Sequence, residues 1–238
     1  MELPALSNRL LACCSFIKPG QTIADIGCDH GYLGIYLLLK GIAKSVIAAD
    51  SNQQPLDNAY GNAHKYCVKD MMTFCLSDGA KNIPREFDTL VCAGMGADTI
   101  ISILEGAPWL KADRYHLILQ CQSRRPELRK YLSEHGWNIS QEILAKDGKF
   151  IYPVMAVNYY PAAPLSPAEC HISPALLASN DPLLPEFYGR VMDGLRTTVS
   201  GLTKNGGEKY EYYSTILADL LKLEDHIYGN CCRCPEVY

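Results

Sequence analysis

The sequence has no apolar run of about 18 residues, so it offers no helix that could cross a membrane. It also lacks the charged-then-apolar opening of an export signal. Met1 to Phe16 reads instead as a short amphipathic helix carrying Leu3, Leu6, Leu10 and Leu11. No internal repeat and no low-complexity tract is present. The spaced pairs of Cys or His that hold a structural metal are missing, so no metal is expected. A surplus of positive charge is missing too: 22 Lys and Arg face 26 Asp and Glu, for a formal net charge of −4. That excludes a chain that is basic all over, although a local basic patch suffices for phosphate contacts.

What is present is a chain of 238 residues, 48% of them apolar, enough for one large domain or one domain with an appendage. Eleven cysteines are many. Cys13, Cys67, Cys75, Cys92 and Cys121 lie in apolar stretches, where a reduced thiol packs as a small hydrophobe. Without an export pattern this implies a reducing, cytoplasmic compartment. The one cluster, Cys231-Cys232-Arg233-Cys234, reads as free thiols at a frayed end.

From residue 22 to about 135 strand and helix patterns alternate. The strand runs are Thr22–Asp25, Ser45–Asp50, Thr73–Leu76, Asp88–Ala93 and His116–Cys121. Between and after them lie helical stretches over Gly31–Lys40, Pro55–Tyr66, Asp98–Glu105 and Pro126–His135. Nearly pure apolar strands joined by helices imply a parallel sheet covered on both faces. Trp137–Ala145 and Phe150–Tyr160 follow, separated by a turn containing Asp147-Gly148, which signals a hairpin. The predicted fold is therefore α/β and Rossmann-like: five parallel strands closed by an antiparallel hairpin, the architecture of class I methyltransferases. That domain spans residues 1–160. Recurrent prolines make 161–184 a linker that wraps the first domain. Residues 185–238 hold two helical patterns, one on Phe187, Val191, Leu195, Val199 and Leu202, the other on Tyr213, Leu217, Leu220, Leu221 and Ile227. Asn205-Gly206-Gly207 divides them into a helical hairpin, followed by the cysteine tail.

The chemistry gathers where the first strand meets its helix, at Asp25-Ile26-Gly27-Cys28-Asp29-His30-Gly31. A dinucleotide-binding turn needs glycines that admit a pyrophosphate to a helix N-terminus. Here Asp29 stands between Gly27 and Gly31, and its carboxylate would repel a phosphate. It suits a cation. S-adenosylmethionine carries a sulfonium and an ammonium and no phosphate, so Asp25 and Asp29 can face those groups. Asp50, with Ser51, ends the second strand, where a carboxylate binds ribose hydroxyls. Asp78 and Gly79 follow the third strand, in reach of an adenine amino group. Gly94, Met95 and Gly96 end the fourth, where bare backbone passes a ligand and Met95 packs on a flat ring. Each position also has a plain structural reading: Asp29 as a helix cap, Asp50 as a solvated strand end, Asp78-Gly79 as a turn and Met95 as core.

Leu6-Ser7-Asn8-Arg9-Leu10, Ala24 through His30, Asp78-Gly79, Ala93-Gly94-Met95-Gly96, Ile118-Leu119-Gln120, Gly136-Trp137 and Asp147-Gly148-Lys149 together resemble the TrmK type of bacterial tRNA adenine-N1 methyltransferase. The resemblance covers residues 6 to about 158. It implies S-adenosylmethionine as cofactor, tRNA as partner and N1 of adenine 22 as acceptor. It also implies catalytic roles: Asp29 beside the developing cation, with His30 and Gln120 as orienting groups. Arg9 would anchor a phosphate or the cofactor carboxylate. The Asp/Asn-Pro-Pro-Tyr motif of exocyclic adenine methyltransferases is absent, which argues against an exocyclic amine by that route and leaves ring nitrogens, oxygens or small molecules as acceptors. Two departures stand out: Gln120 is followed by Cys121-Gln122 where the family has Pro-Asn, and Ala97 replaces a glycine. Arg124, Arg125, Arg129 and Lys130, near Tyr131 and Trp137, form the candidate RNA contact. From Pro161 onward six Lys and Arg face ten Asp and Glu, which does not suggest a phosphate clamp, although Lys204 and Lys209 could contribute. A small-molecule methyltransferase of the same fold and a non-catalytic RNA-binding protein are the alternatives. The first would have a closed, apolar acceptor pocket.

Overall fold

β-Branched and small apolar residues at period two build the centre of the sheet. The computed structural model describes residues 3–202 and 207–229. Strands β1 (Gln21–Ile26), β2 (Ala43–Asp50), β3 (Met72–Leu76), β4 (Thr89–Met95) and β5 (His116–Cys121) run parallel. The hairpin β6 (Trp137–Asp147) and β7 (Phe150–Tyr159) closes the sheet antiparallel, in the order β3-β2-β1-β4-β5-β7-β6. This is the expected architecture, with β6 running two residues further toward the turn than the expected end at Ala145, and β7 beginning at Phe150 as expected.

Alternation along each strand sorts residues between two cores. Ala24, Ile26, Leu90, Leu117 and Leu119 face the side covered by α4 (Ala97–Glu105) and α5 (Arg125–Glu134). Ile23, Val46, Ala48, Val91 and Ile118 face the other side, under α1 (Asn8–Ser15), α2 (Tyr32–Leu39) and α3 (Gln53–Lys65). Asp25 and Gln120 share the period of Ile23 and Ile118. Both are buried polar residues on the α1–α3 side, each one residue short of its strand's end.

The proline-rich segment contains two short helices, α6 (Pro167–His171) and α7 (Pro174–Ala178). Pro167 and Pro174 open them, because proline at the first helical position gives up no hydrogen bond. Ser166 and Ser173 supply the caps, the former in a reciprocal capping box with Glu169. Helices α8 (Leu184–Gly201) and α9 (Glu208–Leu221) pack on each other, and α10 (Glu224–Gly229) follows. Their buried face, with Phe187, Tyr188, Met192, Ile216 and Leu220, joins Leu144 and Ile151 of the hairpin in a third core. Asn205, Gly206, Lys204 and the cysteine tail lie outside the described residues.

One buried ion pair binds these layers. Arg129 and Glu142 are both essentially inaccessible, and the guanidinium also donates to the carbonyls of Cys170 (3.0 Å) and His171 (3.4 Å). Ser173 Oγ donates to the same carboxylate. Strand β6 and helices α5, α6 and α7 thus converge on one charge pair. The expectation that Arg129 meets RNA is corrected: its side chain faces Glu142 in the interior, because Arg129 falls on the buried face of α5 with Leu128 and Leu132. Removing one partner of such a pair strands the other's charge. Arg129→Met is expected to lower the unfolding free energy by about 3–5 kcal/mol in urea titration, and the double change with Glu142→Leu to recover most of that loss.

Candidate active site

The turn after β1 takes its shape from three residues with positive φ: Gly27 (70°), Asp29 (49°) and Gly31 (70°). A side chain at Gly27 would meet the Met95 methyl at 2.4 Å, and one at Gly31 would meet Ala59 at 2.9 Å. Glycine is therefore required at both for φ, and at Gly31 for space as well, because Ala59 is held on its helix while the Met95 methyl can swing aside. The amides of Gly27 and Cys28 donate to the carbonyl of Ala49, and Gly31 N donates to the carbonyl of Cys28. Asp29 makes no capping bond to α2; its side chain is 73% exposed, with the half-exposed His30 ring nitrogen 3.7 Å away. His30 stacks on Tyr32 with centroids 5.8 Å apart, and Asn62 Nδ2 donates to its carbonyl at 2.9 Å.

Asp50 holds this turn from the next strand. Its carboxylate accepts from Asn52 N at 3.0 Å and from Asp29 N at 3.4 Å, and Ser51 adjoins it. The buried Asp25 carboxyl has its pKa raised to about 7, first by burial and then by the charge of Asp50. After β3, Ser77 N donates to the carbonyl of Asp50, and Ser77 Oγ both donates to the carbonyl of Gly79 and accepts from Asn82 N. Asp78 pairs with Lys81 at 2.5 Å. A side chain at Gly79 would meet Ile103 at 2.8 Å, so that glycine answers to packing.

Across the sheet, Gln120 Oε1 accepts from Gly94 N (2.9 Å) and from Arg9 Nη1 (3.1 Å). Two donors converging on one atom make it the oxygen, which leaves the buried Nε2 with no partner in the structure. Gly94 has φ of 83°, and a side chain there would come within 3.2 Å of Arg9. At Gly96 one would stand 3.0 Å from Ser123 Oγ. The register of β4 against β5 shifts between Ala93 and Met95, which bows the strand end outward.

The sequence pattern showed Asp147 only as part of a hairpin turn. In the fold its carboxylate accepts from Asn8 N (2.8 Å) and Arg9 N (3.2 Å), and lies 4.0 Å from Arg9 Nε. It caps α1 from the far end of the sequence. The available signal was negative: α1 has no acidic residue in its first turn, and Ser7 makes no cap. Helix α1 thus carries Arg9 to the carboxyl end of the sheet, beside Gln120 and the turn after β4.

The basic cluster does not form one patch. Arg124 is bidentate to Asp98 at 2.7 Å and lies 3.4 Å from Glu127. Arg125 donates to the carbonyl of Ile151, and Lys130 lies 3.9 Å from Glu134. Among the described residues no group of acids, histidines or cysteines is arranged to hold a metal, and no helix is long and apolar enough to cross a membrane.

A family profile described as a methyltransferase domain matches residues 6–155. The chain belongs to the methyltransferase domain family. It is 32% identical over 146 residues to the tRNA (adenine(22)-N(1))-methyltransferase of Bacillus subtilis, covering 60% of this chain and 61% of that one. It is 39% identical over 147 residues to a putative tRNA methyltransferase of Mycoplasma pneumoniae, covering 59% and 64%. The chain thus spans about three-fifths of the length of these curated relatives. Among solved structures, a putative tRNA (m1A22) methyltransferase of Streptococcus pneumoniae superposes with a TM-score of 0.83 at 25% identity, over 92% of this chain and 99% of that one. The same protein in complex with S-adenosyl-L-methionine gives a TM-score of 0.78 at 26% identity, over 90% and 100%. The likeness to the TrmK type, first read from short motifs, extends through the C-terminal helices.

Folded Asp25 keeps its proton between about pH 4 and pH 7, where an unfolded aspartate has lost it. The folded state binds more protons in that window, so stability falls as pH rises through it and levels off above. Urea unfolding at pH 5 and pH 8 should show this loss, up to roughly 3 kcal/mol. Asp25→Asn should remove the slope; a variant with an unaltered profile would reassign it to other groups.

Proposed function

We propose that this chain transfers a methyl group from S-adenosylmethionine to N1 of adenine, at position 22 of tRNA, in the cytoplasm. The observation that carries the reading is Asp29. A carboxylate held in left-handed backbone, where a phosphate-binding turn would need a small neutral residue, is built for a positive charge. The donor set fits the cofactor. Asp25 and Asp50 offer acceptors for an ammonium and for ribose hydroxyls, Ser77 and Asp78 sit at the next strand end, and Met95 lies against the turn. When bound, the cofactor supplies an electrophilic methyl on sulfur.

Adenine N1 has a lone pair, so no base need remove a proton before attack. The ring becomes cationic as its bond to carbon forms. Asp29, with His30 beside it, stabilises that charge or accepts a proton from the amino group. Gln120, inaccessible in the fold, is an orienting group: its amide oxygen fixes Arg9 and the backbone of the Gly94 turn. The openness of the site favours a macromolecular acceptor over a small molecule: Asp29 and His30 are largely solvated, whereas a small-molecule enzyme would enclose its acceptor in apolar walls. Arg124 and Lys130 stand against acids and Arg125 is held by the carbonyl of Ile151, so α5 offers phosphates little free charge.

Labelled methyl supplied to unmodified bacterial tRNA should appear as 1-methyladenosine. Label in a small molecule, or none despite cofactor binding, would overturn the assignment. Asp29→Ala should reduce kcat by about 100-fold or more while the protein still binds cofactor. Cofactor affinity should rise with pH through about 7 as Asp25 ionises, by roughly tenfold between pH 6 and pH 8, and Asp25→Asn should flatten that dependence.

A further inference from the structure

The tip of the β6–β7 hairpin carries features that packing does not account for. Phe150 is 52% exposed, Tyr152 shares its face of β7 at period two, and the rings lie 6.0 Å apart. Lys149 Nζ stands 5.3 Å from the Phe150 centroid and has no acidic partner among the described residues. Lys146 and Arg190 lie at the same tip on the opposite face of the hairpin, the face of Ile151, and Arg125 stands over the Phe187 ring. Lys146 and Arg190 share the single carboxylate of Glu186, Arg190 donates to the carbonyl of Lys149, and Arg125 donates to the carbonyl of Ile151. The tip therefore presents one unpaired cation, Lys149, beside two aromatic rings on one face, and two cations that share one carboxylate on the other, Asp147 being engaged by α1. On a chain of net charge −4 this is a local inversion of sign.

The tip also adjoins the candidate active site. Asp147 holds the start of α1, and Arg9 in that helix reaches Gln120 and the Gly94 turn. An aromatic ring flanked by cations is the general solution for an unstacked base and its phosphates. We propose that the β6–β7 tip is an RNA-docking surface, on which Phe150 stacks an unpaired nucleotide of the tRNA while Lys149 and Arg190 meet the neighbouring phosphates. This rests on the tRNA reading above and goes further, because it moves the RNA contact from α5 to the hairpin.

Phe150→Ala, Phe150→Trp and Lys149→Glu would be compared with the native protein for binding of unmodified tRNA, KM for tRNA, kcat, and cofactor affinity, with thermal melting as a check on folding. Phe150→Ala should weaken tRNA binding and raise KM by about tenfold, and Phe150→Trp should restore both. Lys149→Glu should weaken binding and make it less dependent on salt. Cofactor affinity and kcat at saturating tRNA should stay within about twofold of native if the effect is on docking alone. Unchanged tRNA affinity in Phe150→Ala overturns the proposal, as does a loss that Trp fails to restore. Unchanged tRNA affinity accompanied by dissociation of a dimer reassigns the tip to self-association and equally overturns it. Native protein that binds tRNA through this tip yet transfers no methyl sinks the enzymatic reading and leaves the docking surface standing. Native protein that binds no tRNA overturns both.

Discussion

A single buried amide oxygen joins the parts of the candidate site. Gln120 Oε1 accepts from the backbone of the Gly94 turn and from the Arg9 guanidinium. Arg9 is placed by α1, and α1 is capped by Asp147 of the hairpin. Loss of that oxygen would leave a buried amide N–H and a partly buried charged donor without an acceptor, at the full desolvation cost of each. Four elements distant in sequence thus share one polar junction. It also determines which face of Gln120 stays free. With the oxygen engaged, the amide nitrogen is left as a donor, and a buried donor without a partner is tolerated where a ligand completes it.

The opposite side of the site is governed by space. Met95 lies where a side chain on Gly27 would stand, so the turn after β1 and the end of β4 approach as closely as backbone and thioether allow. Asp29 is carried outward on left-handed backbone, and Asp50 receives its amide. Asp25 stays inside, and burial beside a second acid holds its proton to near neutral pH. Two carboxylates four residues apart therefore have opposite surroundings: Asp29 is solvated and free to face a cation, whereas Asp25 is buried and charged only as the pH rises or a cation arrives.

Much of this was legible because it is written locally. The alternation of apolar strands, the Asp-Gly hairpin signal and the acid in the glycine turn each concern neighbours in sequence. The illegible parts depend on which remote segment comes to lie opposite. Arg129 belongs to a basic run by sequence but to the interior by helical phase, since Leu128 and Leu132 flank it on the buried face. The hint was Glu142, an acid at an inward position of an otherwise amphipathic strand. Asp147 was visible as a turn residue, and nothing local indicated that its carboxylate caps a helix 139 residues away. The prolines of 161–184 were read as an interruption. Behind serine caps, Pro167 and Pro174 instead begin helices, a signal that lay in the Ser-Pro pairs themselves.

On the proposed tRNA reading, an acidic protein must concentrate its positive charge to meet a polyanion, and the arrangement of ion pairs determines where. In α5 the cations are consumed: Arg124 by Asp98 and Glu127, Arg129 by Glu142, with Lys130 within reach of Glu134. At the hairpin tip one glutamate serves two cations, and Lys149 lies over an exposed ring instead of an acid. The count of basic residues is therefore a poor guide to RNA affinity, because a paired surface cation gives up little of its salt bridge yet presents little net field. Contact is favoured where cations outnumber acids and an aromatic face is already solvated. The proposed hairpin tip meets it through Lys149 and the Phe150 ring, on the side of the sheet where α1 brings Arg9 to Gln120.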